Sequence, residues 1–253
     1  MKNGIIAADK MKSVTQVMAR GLIASFFWVF VMACSGCGGG GENVGMPVEQ
    51  AQPKAVTIDA EGDSTMYGTE IINGVTVRSA DPAPSVAQQS LTSSTRAPVT
   101  IENNGSPGTT AYQNLTGHVL APLATRLASD PAQIVIENFG INDSGVTTVS
   151  AFHDELTNWI LTVRGMGKIP VLEEPNPVTR ADYDALPSFV QMINQVATEQ
   201  GVQVIQQYAY IQSLPNWQGM LTDGVHPGDA LYQIKGQREA AILAPLVTKL
   251  SSQ

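Results

Sequence analysis

QIVIENFGIND, residues 133–143, is the stretch on which the fold turns. Gln133 to Phe139 is dense in β-branched and apolar residues and halts at Gly140, which reads as a short buried strand with an abrupt exit. Ahead of it, Leu115, Val119, Leu120, Leu123 and Leu127 recur on one face of a helix that Asp130-Pro131 stops. Behind it, Phe152, Leu156, Trp159, Ile160 and Val163 repeat at helical spacing until Gly165 and Gly167. The same rhythm continues outward. Ala55–Ala60, Pro98–Asn103, Ile169–Leu172 and Val202–Ile205 read as strands. Leu186, Phe189, Val190, Ile193, Val196 and Ala197 mark a helix ending at Gly201, and a last helix runs from about Asp229 to Leu250. Strands alternating with helices predict an α/β protein: a three-layer αβα sandwich with a central, mostly parallel sheet. The segment Thr69–Ala97 reads as loop.

Open sheets of this kind bind ligands at the carboxyl ends of their strands. Four polar stretches stand there: Gly62-Asp63-Ser64, Asn104-Gly105-Ser106-Pro107-Gly108-Thr109, Gly140-Ile141-Asn142-Asp143, and Asp223-Gly224-Val225-His226-Pro227 at the entrance to the last helix. Acyl transfer needs a nucleophile, a base within hydrogen-bond reach and an acid that fixes the base's tautomer. Asp223 and His226, three apart across a glycine turn, suit the last two roles, and Ser64 suits the first. A developing oxyanion needs donors already aimed at it, which a backbone N–H and the Asn142 amide can supply. No Gly-x-Ser-x-Gly elbow occurs, which sets the α/β-hydrolase arrangement aside.

Taken in order, Gly62-Asp63-Ser64, Gly140-Ile141-Asn142-Asp143 and Asp223-Gly224-Val225-His226-Pro227 resemble blocks one, three and five of the SGNH hydrolases, the GDSL esterases and lipases. The resemblance covers about residues 55–250 and implies the flavodoxin-like fold of that family. It implies Ser64 as nucleophile, His226 as base and then acid, and Asp223 as its orienting partner. It also implies an oxyanion hole from the N–H groups of Ser64 and Gly108 and the Asn142 side chain. Gly105 is the alternative in block two; Gly108 is preferred because a polar pair follows it. Asp63 is expected to brace its own turn, and Asp143 to be a supporting group or a loop residue. His118 and His153 are read as helix residues outside the site.

Composition narrows the class. The chain has 253 residues, 43% of them hydrophobic, with a formal net charge of −8 and no basic block, so nucleic acid is not an expected partner. No phosphate-cradling loop or metal-ligand spacing is present, and neither cofactor nor metal is expected. Lys2, Lys10, Lys12 and Arg20 precede an apolar run from Leu22 to Ala33, the order of a secretory signal. Val31-Met32-Ala33-Cys34 resembles a lipobox, with Cys37 the weaker candidate. Residues 1–33 are therefore expected to be a lipoprotein signal peptide, 34–54 a tether, and 55–253 the hydrolase domain. A monomer, lipid-anchored at Cys34 to the bacterial cell envelope on the periplasmic face of the outer membrane, is the corresponding expectation.

The expected activity is hydrolysis of carboxylic esters with a small acyl group. The alternatives are a carbohydrate O-acetylesterase or acyltransferase on the same site, or a lipoprotein that only binds an envelope component. Four loops are expected to shape the pocket: Thr69–Ala97, Ser144–Ser150, Glu173–Pro187 and Tyr208–Leu221. Within them Tyr183, Tyr208, Tyr210 and Trp217 are the large apolar groups. Glu173 and Glu174 are expected to line the cleft and disfavour anions.

Overall fold

The computed structural model describes residues 52–253. The expected signal peptide, Cys34 and most of the expected tether lie outside the described residues. Where the description begins, the Lys54 N–H already donates to the Ser251 carbonyl at 2.8 Å.

Five strands form one parallel sheet: β1 (Val56–Gly62), β4 (Val99–Asn103), β5 (Ile134–Asn138), β6 (Ile169–Glu173) and β7 (Gln203–Ile205). The spatial order is β4-β1-β5-β6-β7, and every neighbouring pair is parallel. Renumbered within the sheet, this is the order 2-1-3-4-5, whose direction of winding reverses between β1 and β5. The crevice at that reversal lies beyond the carboxyl ends of β1 and β5, where Gly62-Asp63-Ser64 and Gly140-Ile141-Asn142 emerge.

The sheet is covered on both faces, which explains why β5 is buried at all five positions. On one face Val56, Ile58, Ala60, Ile134, Ile136 and Val171 pack against α2 (Ala83–Thr95) and α9 (Asp229–Ser251). On the other, Val135, Phe139 and Leu172 pack against helices α3 (Ala111–Thr116), α4 (Leu123–Leu127), α6 (Val149–Gly165) and α7 (Leu186–Gln200). The Phe152 and Phe189 rings join α6 to α7 with centroids 5.0 Å apart. The acidic positions of β1, Asp59 and Glu61, are buried too. Glu61 is ion-paired with Arg126 and accepts from Asn114 Nδ2 at 2.8 Å, so its charge is neutralised within the core.

Three expectations need correction. The helix expected from Leu115 to Leu127 is two short ones. Gly117 ends α3 at φ +92°, and Pro122, which has no N–H to continue a helix, stands at the start of α4. Val119 and Leu120 are consequently exposed, and His118 lies in the connection rather than in a helix. The expected loop Thr69–Ala97 holds an antiparallel hairpin, β2 (Thr69–Ile72) and β3 (Val75–Arg78), and the whole of α2. Asn73-Gly74 makes its turn, both at positive φ (52° and 77°), the conformation a two-residue hairpin turn requires. Finally, Glu173 and Glu174 do not face the cleft. Both are buried: Glu173 faces Lys235 Nζ at 3.7 Å, and Glu174 accepts from Asn194 Nδ2 and the Tyr208 N–H.

Candidate active site

At the end of β1 the chain turns directly into α1 (Ser64–Tyr67). Asp63 caps that turn: its Oδ1 accepts from the Thr65 N–H at 2.8 Å and from Thr65 Oγ1 at 2.9 Å. This is the bracing expected of it. Gly62 is needed for closeness; a Cβ there would stand 2.5 Å from Met66 Cβ and 2.9 Å from the Asn138 carbonyl. Thr65 Oγ1 also lies 3.0 Å from Asn138 Oδ1, so its one proton is shared between Asp63 and Asn138, and Asn138 Nδ2 reaches the Glu173 and Glu174 carbonyls. Ser64 is thus set on a turn tied to the ends of three neighbouring strands.

Between α8 (Tyr208–Gln212) and α9 the chain delivers the last stretch. Asp223 Oδ1 accepts from the Val225 and His226 N–H groups at 3.0 and 2.8 Å, while Oδ2 lies 2.9 Å from His226 Nδ1. A carboxylate can only accept, so Nδ1 carries the proton and Nε2 is left as the acceptor. His226 Nε2 stands 2.9 Å from Ser64 Oγ. Burial works to raise Asp223, but the backbone and ring hydrogen bonds from His226 and the bond from Val225 outweigh it, and the carboxyl lies below its ordinary value. The hairpin steadies this loop from outside, where Thr222 Oγ1 accepts the Ile71 N–H at 3.0 Å.

Asn142 lies in the first turn of α5 (Ile141–Val146), its Nδ2 donating to the Thr109 carbonyl at 3.1 Å and lying 3.4 Å from Asp63 Oδ2. These two acceptors account for both amide protons, so an oxyanion would take the place of the longer contact to Asp63. Asp143 beside it is buried and accepts from the Ala111 and Gly140 N–H groups at 2.9 Å each, joining the second stretch to the third. Burial is the main force that pushes its carboxyl up, to about 7, against those two hydrogen bonds. Gly105 and Gly108 separate cleanly. Gly105 is pressed onto the backbone of α1, whereas Gly108 stands beside open space and lines the cavity. Among the described residues neither the Ser64 nor the Gly108 N–H has a protein acceptor.

Ser64, His226, Gly108 and Asn142 border one cavity of about 290 Å³, completed by Thr69, Ile71, Thr76, Pro107, Ile141, Tyr183 and Val225. A second cavity of about 640 Å³ shares Gly108, Asn142 and Tyr183 with it. The hairpin walls were missed in the sequence, although Asn-Gly between apolar alternations is the standard signal for such a turn. Of the four expected aromatics only Tyr183 lines these cavities. Tyr210 lies under the Arg238 guanidinium at 4.1 Å, Trp217 packs with Ile211, Leu221 and Leu231, and Tyr208 packs into the main core. His153 is on the outer surface against Asp154 and Glu199. Among the described residues no three His, Cys, Asp or Glu side chains gather as metal ligands would.

The sequence matches the model of the GDSL-like lipase/acylhydrolase family over residues 60–234. None of the curated proteins matches it. Solved structures do. An inhibitor-bound aryl esterase from M. smegmatis is 17% identical and superimposes with a TM-score of 0.64, over 76% of this chain and 99% of that one. Est24, a carbohydrate acetylesterase from Sinorhizobium meliloti, is 15% identical with a TM-score of 0.62, covering 76% and 99%. A lipase/acylhydrolase from Enterococcus faecalis is 19% identical with a TM-score of 0.60, covering 76% and 96%. At these identities the structures speak for the fold.

Proposed function

Since this chain belongs to the GDSL-like lipase/acylhydrolase family and is an ester-hydrolysing enzyme, we propose that it is a serine esterase acting through an acyl-enzyme on Ser64. One observation carries the reading: the continuous relay from Asp223 Oδ2 through His226 to Ser64 Oγ, with both links at 2.9 Å. Ser64 Oγ attacks the ester carbonyl as its proton passes to His226 Nε2, and Asp223 holds the imidazolium through Nδ1–H. The tetrahedral oxyanion is received by the N–H groups of Ser64 and Gly108 and by Asn142 Nδ2. His226 then gives its proton to the leaving alcohol. Water repeats the sequence on the acyl-enzyme and frees the acid.

The acyl group is short. The cavity at Ser64 is small, about 290 Å³, and Ile71, Ile141 and Val225 stand among its walls. With p-nitrophenyl esters of increasing chain length, kcat/KM is expected to peak at acetyl to butyryl, and Ser64→Ala to abolish turnover throughout. Equal rates at octanoyl and acetyl would remove the short-acyl part; turnover retained by Ser64→Ala would remove the nucleophile.

The basic-then-apolar leader ending in Val31-Met32-Ala33-Cys34 supports a second proposal, an exported protein held to the envelope by acylated Cys34. Metabolic fatty-acid labelling that disappears in Cys34→Ser supports it, and labelling that persists transfers the anchor to Cys37 or elsewhere.

A further inference from the structure

The turn that presents His226 is gripped from two sides. From within, Asp223 Oδ1 takes the N–H groups of Val225 and His226. Its carbonyls are taken by other groups. The Gly224 carbonyl accepts the Thr179 N–H at 2.8 Å, the Val225 carbonyl accepts Asn176 Nδ2 at 2.9 Å, and the His226 carbonyl accepts the Thr222 N–H at 2.8 Å. Gly224, at φ +84°, lets the chains come this close: a Cβ there would stand 2.7 Å from Thr179 Oγ1. Two of the three donors come from one loop, residues 175–180 between β6 and α7, which runs on to Tyr183 at the border of both cavities.

Asn176, between Pro175 and Pro177, is the one side chain among these donors, and it is fully buried. Its Nδ2 gives one proton to the Val225 carbonyl and the other to the Pro177 carbonyl at 3.1 Å. Its Oδ1 is buried and receives nothing among the described residues. A buried acceptor left without a donor costs about 1–3 kcal/mol. An Asp of the same shape would set a carboxylate against two carbonyls, and a Leu would leave the Val225 carbonyl unpaired. The amide is explained by what its donor end holds. The Val225 carbonyl and the His226 N–H belong to one planar peptide unit. Asp223 Oδ1 holds that unit by its N–H and Asn176 Nδ2 holds it by its carbonyl, so the plane is fixed at both ends.

We propose that Asn176 is a positioning residue for His226: by holding the Val225 carbonyl it fixes the peptide plane from which the imidazole projects, and so keeps Nε2 on Ser64 Oγ. The inference rests on His226 as the base for Ser64. Asn176 lines neither cavity and acts only through the histidine. Nε2 must meet the Ser64 hydroxyl during acylation and the attacking water during deacylation, so lost placement slows both half-reactions and falls on kcat. A shift of about 1 Å at a reacting group costs on the order of 10² in rate. The walls that bind the ester are untouched, and KM is expected to change little.

The test is steady-state kinetics on p-nitrophenyl acetate with wild type, Asn176→Ala, Asn176→Ser, His226→Ala and the double variant Asn176→Ala/His226→Ala, the fold of each checked by circular dichroism. Asn176→Ala is expected to lower kcat about 10²-fold with KM nearly unchanged. Asn176→Ser, which keeps a donor on a smaller side chain, is expected to lose less. In His226→Ala the residual turnover no longer depends on where the base stands, so adding Asn176→Ala is expected to leave it nearly unchanged. A further loss in the double variant comparable to that of Asn176→Ala alone overturns the inference, because the amide would then be holding the whole site. A near-normal kcat in Asn176→Ala overturns it too, as does failure of both Asn176 variants to fold, which would make the residue a support of the core. Turnover by His226→Ala equal to wild type would instead overturn the reading of His226 as the base.

Discussion

Gly105→Ala tests how the site is held together. A methyl group at this position would meet the Tyr67 backbone nitrogen at 2.3 Å, the Tyr67 Cα at 2.8 Å and the Met66 carbonyl carbon at 2.9 Å. Ordinary contact begins near 3.4 Å, so about 1 Å of movement must be found. All three neighbours are backbone, and no side chain can swing aside. The loop is pinned as well: the Gly105 N–H donates to Asn103 Oδ1, Asn103 Nδ2 donates to the Met66 carbonyl, and the Ser106 N–H donates to the Gly62 carbonyl. The displacement therefore falls on α1, which begins at Ser64, or on the loop that carries Gly108. Overpacking of this kind costs about 1–3 kcal/mol. A shift of about 1 Å at a reacting atom costs on the order of 10² in rate. Gly108→Ala is the matched control. Its φ of +78° charges a side chain about 1–2 kcal/mol, yet an added Cβ meets nothing within 4 Å and the N–H survives. Steady-state kinetics on p-nitrophenyl acetate, beside urea melts, should show Gly105→Ala much the more damaging to kcat/KM. Gly105→Ala within twofold of wild type, or Gly108→Ala the worse of the two, refutes the packing argument.

Asn142→Ala should lower kcat by about 10²–10³ with the fold intact by circular dichroism, the loss typical of one oxyanion donor; a near-normal kcat removes it from that role. Gly236→Ala addresses stability alone, since its Cβ would stand 2.4 Å from the Ala83 carbonyl where α9 crosses α2. Urea melts should show a loss of about 1–3 kcal/mol with kcat unchanged, and an unchanged midpoint would contradict the packing of those helices. Stability should also fall with pH. Burial, with Glu61 beside it, raises Asp59 from 3.8 to about 9, and burial raises Asp143 from 3.8 to about 7. Each holds in the folded state a proton that the unfolded chain releases, so its contribution is complete below about 3.8 and lost as pH climbs through 7 and 9. The slope is about 1.4 kcal/mol per pH unit for each such group. Urea melts at pH 6 and 8 should show the decline, and Asp59→Asn should flatten it; a flat wild-type profile would show these carboxyls to be ionised.

The sheet and its long amphipathic helices were legible because a doubly covered parallel sheet writes itself as apolar runs between 3.6-residue stripes. The meeting of Ser64, Gly108 and Asn142 was legible because each follows a strand and the topology carries strand ends to one edge, whereas Asp223 and His226 arrive on the loop between α8 and α9 and were legible from their Asp-x-x-His spacing. What escaped has physical causes. Helix α2 buries Ala83, Val86, Ala87 and Leu91, with Ala83 and Val86 against Gly236 of α9, and a stripe built half of alanine leaves a faint periodic signal. The Leu115–Leu127 stripe looked continuous because apolar spacing persisted across a glycine and a proline that break the backbone. Glu173 and Glu174 looked like cleft residues by position, but both carboxylates are buried, Glu173 beside Lys235 of α9 and Glu174 bound by Asn194 of α7 and the Tyr208 amide, partners distant in sequence.

The central claim is that one hydroxyl, Ser64 Oγ, forms the bond to the acyl group. Treating the protein with a fluorophosphonate and mapping the adduct by peptide mass spectrometry tests it most directly. The account predicts a stoichiometric adduct on Ser64, loss of ester turnover in step with labelling, and slow labelling in Asp223→Asn. An adduct confined to another residue, or undiminished turnover after Ser64 is fully labelled, would contradict it.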